Sequence, residues 1–159
     1  MGKIDARLAE LGIDLPEPVA PLAAYVPFVQ SGNLIFVSGQ LPMGAGDLPT
    51  GHLTASDHDG PAVTDAKSAA RQCALNLLAH VKAAAGDLDK VTRVVKLTGF
   101  VNCDGTFTQH PQVINGASEL MGEIFGDVGQ HARAAVGSSS LPLGAVVEVE
   151  GIFEIGKTG

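Results

Sequence analysis

The chain has 159 residues, 45% of them hydrophobic and 17% charged, which suits one globular domain and excludes a disordered chain. Ten Lys and Arg stand against 17 Asp and Glu, a formal net charge of -7 with no basic run. That balance disfavours a nucleic-acid partner, whose phosphates need a basic face, and favours solubility.

The two cysteines, Cys73 and Cys103, form no CxxC and no metal-ligand spacing. A reduced, cytoplasmic setting is therefore expected, with neither metal nor cofactor. No apolar run approaches the roughly 18 residues that span a bilayer. The first residues, Met-Gly-Lys-Ile-Asp-Ala-Arg-Leu, lack a signal-peptide apolar region. With no Trp and 20 Gly, the core must be built from Val, Leu, Ile and Ala.

In chain order, a helix is predicted from Lys3 to Leu11, with Ile4, Leu8 and Leu11 on one face and Gly12 ending it. Pro16, Pro18 and Pro21 force an extended connector. Strands follow at Tyr25 to Gln30 and Leu34 to Ser38, joined by the Ser31-Gly32-Asn33 turn. Met43 to Gly60, rich in Gly, Asp, Thr and Pro, is a long loop of the functional or mobile kind. Helical spacing of Val63, Ala66, Ala70, Cys73, Leu77, Val81 and Ala84 predicts a helix from Pro61 to Ala85. Pro61 suits its first position and Gly86 its end. Val91 to Asn102 is β-branched and strand-like. A second amphipathic helix runs from Gln112 to Phe125. Strands then follow at Ala134 to Ser140 and, after Leu141-Pro142-Leu143-Gly144, at Val146 to Ile155.

Little in this chain announces chemistry. His52 and His58 share a loop with Asp57 and Asp59, a pattern better read as solvated than as a metal site. His80 lies within a helix, and His110 and His131 are isolated in sequence. There is no GxSxG, no Cys paired locally with His, and no phosphate-binding glycine loop. Ser138-Ser139-Ser140 reads as a polar strand end, and Cys73 as core. The best candidate is Arg133, in His-Ala-Arg-Ala-Ala-Val, where a guanidinium among small apolar neighbours must find an anion or water. Pairing of the two C-terminal strands across Leu141–Gly144 would bring Glu148 to the same cleft. From composition and spacing alone, a salt bridge worth about 0–1 kcal/mol, or two exposed side chains, is the favoured account of this pair.

Three segments shift that balance. Gly32-Asn33-Leu34-Ile35-Phe36-Val37-Ser38-Gly39-Gln40-Leu41-Pro42, Val94-Val95-Lys96-Leu97-Thr98-Gly99-Phe100-Val101, and Ala132-Arg133-Ala134-Ala135-Val136 with Leu141-Pro142 and Val147-Glu148-Val149-Glu150-Gly151 occur in this order. Together they resemble the Rid (reactive intermediate deaminase, or YjgF) family, over nearly all of the chain from Tyr25 to Ile155. The resemblance implies an α+β, chorismate-mutase-like fold, a mixed sheet with two helices on one face, here over residues 22–156. A short helix and Pro-rich connector over 1–21 would precede it. It also implies a homotrimer with a cleft between subunits, and hydrolysis of 2-imino or 2-enamino acids to 2-keto acids and ammonia.

In that resemblance Arg133 grips the substrate carboxylate and Glu148 orients water, while Tyr25, Ser38, Gly39, Asn115 and the backbone near Ala135 shape the site. The chain departs from the family at Ala23-Ala24 before Tyr25, where Gly-Pro is usual, and at Ala134-Ala135, where Ser-Cys is frequent. It also has a longer 43–60 loop and an added segment up to Pro21. Three other readings stand beside hydrolysis. One is a non-catalytic module binding small carboxylates in the same cleft. The second is an endoribonuclease, which the -7 charge opposes. The third is a chorismate mutase by fold analogy alone.

Overall fold

The computed structural model describes residues 1–156. Its elements are α1 (Lys3–Glu10), β1 (Phe28–Ser31), β2 (Leu34–Gln40), α2 (Pro61–Ala85), β3 (Val91–Asn102), α3 (His110–Phe125), β4 (Ala132–Ser138) and β5 (Val147–Ile155). The boundaries of α2 and β3 are those expected. The first strand is shorter than expected: Tyr25 to Pro27 lie outside it, and pairing begins at Phe28 opposite Val37. Gly32, at φ +61°, makes the hairpin turn in the left-handed region that favours glycine.

The five strands form one mixed sheet in the order β1-β2-β5-β3-β4. All neighbours are antiparallel except β3 and β4, which run parallel. The last two strands therefore do not pair across the Leu141–Gly144 turn; β3 lies between them. A parallel partner needs a crossover rather than a hairpin, and α3 is that crossover, carrying the chain from β3 to β4.

Helices α2 and α3 cover one face of the sheet. Alternation assigns the faces. Along β5, Val147, Val149, Phe153 and Ile155 are buried beneath the helices, while Glu148, Glu150, Ile152 and Glu154 point the other way. On β3, Leu97 and Val101 join the helix side, and a Cβ on Gly99 would run into Ile114 of α3. Burying each such Leu or Val contributes about 1.5–3 kcal/mol. Small residues let the helices approach. Ala66, Ala70 and Ala74 are buried on α2, and at Gly116 of α3 any side chain would collide with the Lys67 carbonyl.

The two additions are anchored. Helix α1 sinks Ile4 and Leu8 into the same core. Its first free amides, on Lys3 and Ile4, donate to the Asp89 carboxylate at 2.7 Å each. The 43–60 loop is tied down by backbone bonds from Val146 to Pro49 (3.1 Å), from Leu53 to Asn102 (2.9 Å) and from Asp104 to Leu53 (3.0 Å). Thr54 and Asp57 close a capping box within it.

Candidate active site

Arg133 is the second residue of the edge strand β4 and pairs with Leu97. Because paired residues share a face, its side chain is turned toward α3. There its Nη1 donates to Asn115 Oδ1 at 2.8 Å and to Ser118 Oγ at 3.2 Å. Ser118 Oγ also lies 2.8 Å from His131 Nε2, and His131 Nδ1 lies 2.7 Å from the Gly129 carbonyl. These groups line an open recess of about 350 Å³. Among the described residues Arg133 makes no ion pair, whereas Arg71 is paired with Glu123 at 3.0 Å. Ala135 shares the face of Arg133 and packs against the core.

Glu148 faces the opposite way. It pairs with Phe100 and looks out from the helix-free side of β5. It lines a second recess of about 180 Å³ with Leu22, Tyr25, Gly39, Leu41 and Met43. Apart from Glu148 that wall is mainly apolar. Burial raises the Glu148 pKa above the usual glutamate value, and the nearby charge of Glu150 adds to it. Tyr25 is 49% exposed. Ser38 does not present its hydroxyl to this recess: Oγ donates to the Val26 carbonyl at 2.8 Å, and its amide to the Pro27 carbonyl at 2.9 Å. Ser38 thus fastens the connector that carries Tyr25.

The residues singled out in the sequence fall into two groups, Arg133 with Asn115 and Tyr25 with Gly39 and Glu148. The two recesses share no lining residue. A common cleft within one chain, which pairing of β4 with β5 would have made, is ruled out by β3 between them and by the opposite faces.

Ser118 and His131 were not anticipated. Both carry a spacing signal. Ser118 follows Asn115 by three residues on a helix, hence on one face, and His131 precedes Arg133 by two on extended chain.

Other candidates are accounted for by local contacts. His52 Nδ1 bonds Asn102 Oδ1 at 2.6 Å, and His58 Nε2 accepts from the Thr108 amide at 3.2 Å. No group of three metal-ligating side chains occurs among the described residues. Cys103 does have a histidine partner, contrary to the sequence reading: Sγ lies 3.4 Å from His110 Nε2 across a seven-residue gap. Burial and Asp104 push that thiol up, so the unreactive protonated form prevails. Cys73 is fully buried and also pushed up. No helix among the described residues is long and apolar enough to cross a membrane.

The family described as "YjgF/chorismate_mutase-like, putative endoribonuclease" matches residues 5–155. Protein TCP17 of Trypanosoma cruzi is 49% identical over 156 residues, 97% of this chain and 95% of that protein. A 2-iminobutanoate/2-iminopropanoate deaminase of Dermatophagoides farinae is 30% identical over 142 residues, 88% of this chain and 90% of the deaminase. Among solved structures, the protein Atu1372 from Agrobacterium tumefaciens, of unknown function, is 50% identical. It superposes with a TM-score of 0.84 over 96% of this chain and 93% of its own.

Proposed function

The chain belongs to the YjgF/chorismate mutase-like family, and on that premise we propose that it hydrolyses reactive 2-enamino and 2-imino acids to 2-keto acids and ammonia. The observation that carries the reading is an arginine without a counter-ion among the described residues, held by Asn115 and Ser118, on a chain that also bears a half-buried glutamate in a mainly apolar recess. The sequence similarity to a 2-iminobutanoate/2-iminopropanoate deaminase supports the same chemistry.

In this mechanism Arg133 binds the substrate carboxylate through charge-assisted hydrogen bonds. An enamine first tautomerises to the imine. Water adds its oxygen to the imine carbon and gives one proton to Glu148, which passes it to the nitrogen and leaves a carbinolamine. Glu148 then carries the carbinolamine hydroxyl proton to the same nitrogen, the C–N bond breaks, and ammonia leaves as the carbonyl forms. The imine carbon is already electrophilic, so positioning and one carboxylate base suffice, with no covalent nucleophile. A carboxylate with a raised pKa is a better base toward water than an ordinary one.

The two recesses then belong to different copies. In the proposed homotrimer the β4 edge and Arg133 recess of one chain meet the Glu148 recess of the next. Supporting this, the helix-free face exposes two apolar side chains, Phe36 and Val136, at 42% and 43%, which burial between copies would cover.

The test adds the purified protein to an enzyme generating 2-aminoacrylate and times pyruvate release. Acceleration is expected, with loss of about 100-fold or more in Arg133→Ala, since bonds between charged groups are worth about 1.5–3 kcal/mol each. Equal acceleration by Arg133→Ala, or none by the wild type, sinks the reading. Mixing Arg133→Ala with Glu148→Gln subunits, followed by reassembly, is expected to restore activity, because some mixed trimers carry an intact site. No restoration would count against a site shared between chains and, with it, against Glu148 as the base.

A further inference from the structure

We infer that Ser118 and His131 are positioning residues that orient Arg133 so that its Nε–Nη2 edge, rather than its Nη1–Nη2 end, receives the substrate carboxylate. The inference rests on the proposed carboxylate-binding role of Arg133.

It follows from a count of hydrogens. A guanidinium carries two on Nη1, two on Nη2 and one on Nε. Both Nη1 hydrogens are spent, one on Asn115 Oδ1 at 2.8 Å and one on Ser118 Oγ at 3.2 Å. Nη2 and Nε have no hydrogen-bond partner among the described residues. The Nε–H and one Nη2–H lie parallel on one edge, the geometry that meets both oxygens of a carboxylate. An end-on approach needs an Nη1 hydrogen that is already committed.

Ser118 can accept from Nη1 only if its own proton points elsewhere, and His131 sets that direction. The Gly129 carbonyl can only accept, so His131 Nδ1, 2.7 Å away, carries a proton. In the neutral ring Nε2 is then bare and accepts the Ser118 hydroxyl proton at 2.8 Å. The hydroxyl lone pairs are left facing Arg133. Donors thus run one way, from Arg133 to Ser118 to His131 to the Gly129 carbonyl, each bond polarising the next. Asn115 and Ser118 grip Nη1 from successive turns of α3, which fixes the plane of the guanidinium.

The test uses the full chain with pyruvate, the carboxylate product, as the binding probe. Three variants are compared: Ser118→Ala, which suits a helix; Ser118→Thr, which keeps the hydroxyl; and His131→Asn, whose amide can still bond Gly129 but cannot reach Ser118. Losing one such hydrogen bond is expected to raise the pyruvate Kd and the imino-acid KM about fivefold in Ser118→Ala and about twofold in His131→Asn. kcat should stay within about twofold, because the carboxylate is gripped equally in ground and transition states. Ser118→Thr restores wild-type values. In the NMR spectrum the Arg133 Nε–H resonance shifts on adding pyruvate.

An unmoved Nε–H signal under saturating pyruvate, or Kd and KM unchanged in both Ser118→Ala and His131→Asn, overturns the inference. So does a fall in kcat at constant KM. Hydrolysis is judged separately: a wild type that binds pyruvate through Arg133 without turning over an imine removes the proposed activity, and the binding series still decides the orientation. A wild type that binds no pyruvate overturns the orientation, while the 2-aminoacrylate assay alone decides hydrolysis.

Discussion

Gly39 on β2 and Glu148 on β5 stand so close that a Cβ on residue 39 would lie 2.6 Å from Glu148 Oε1. The contact falls where the β2–β5 register is irregular, between Val37 and Gln40. The absent side chain leaves room for the carboxylate. In Gly39→Ala the flexible end of Glu148 must swing aside, and the strand need not move. The variant is expected to melt within a few degrees of the wild type and to lose about 100-fold in kcat/KM, the usual cost of misplacing a reacting group by about 1 Å. Undiminished turnover would detach Glu148 from the chemistry.

Glu148 links activity and stability to pH with opposite signs. Its folded pKa is raised by burial and by Glu150, so the folded state holds the proton more tightly than the unfolded one. Stability therefore falls as pH rises from the ordinary glutamate value through the folded value, and ionised Glu148 costs stability at neutral pH. Activity needs the ionised form and rises across the same window. Glu148→Gln is expected to melt at or above the wild-type temperature at pH 7, with the gap closing toward pH 4, and to be inactive. A lower melting temperature at pH 7 contradicts this.

His80 on α2 is 2% exposed, and neither ring nitrogen has a hydrogen-bond partner among the described residues. Burial lowers its pKa, partly offset by the nearby Val19 backbone. A depressed histidine contributes stability above the unfolded value, and that stability is lost as pH falls through the range between the unfolded and folded values. His80→Leu removes a buried unsatisfied group worth about 1–3 kcal/mol. It should raise the melting temperature, and more at pH 5.5 than at pH 8. Equal gains at both pH values would show that His80 is not held neutral.

Gly116 sets the distance between the helices that roof the sheet. Gly116→Ala would press its Cβ into the Lys67 carbonyl, a backbone atom that cannot rotate away. The expected loss is at least about 1–3 kcal/mol, as for other overpacked sites. Asn115, the next residue, would shift with the helix, so carboxylate binding should weaken in parallel. A variant as stable as the wild type would show that α2 and α3 can part freely.

Periodicity in the chain was enough to place α2 and β5, because each buries one continuous face and the 3.6- and 2-residue repeats report it directly, and β-branched composition marked β3. Composition also set expectations: a net charge of -7 argues against a nucleic-acid partner, and two cysteines with no paired spacing argue against a disulfide scaffold. Arg133 and Glu148 were visible as a charge among small residues and a carboxylate on an alternating strand. Which strands would be neighbours was not, because pairing is settled by burial across the whole sheet. Only the tertiary structure inserted β3 between β4 and β5, turned Arg133 and Glu148 to opposite faces, and brought Ser118 and His131 to the guanidinium. Local spacing sets Ser118 beside Asn115 and His131 beside Arg133, but strand order and the side each helix covers depend on burial across the whole sheet, which spacing does not report.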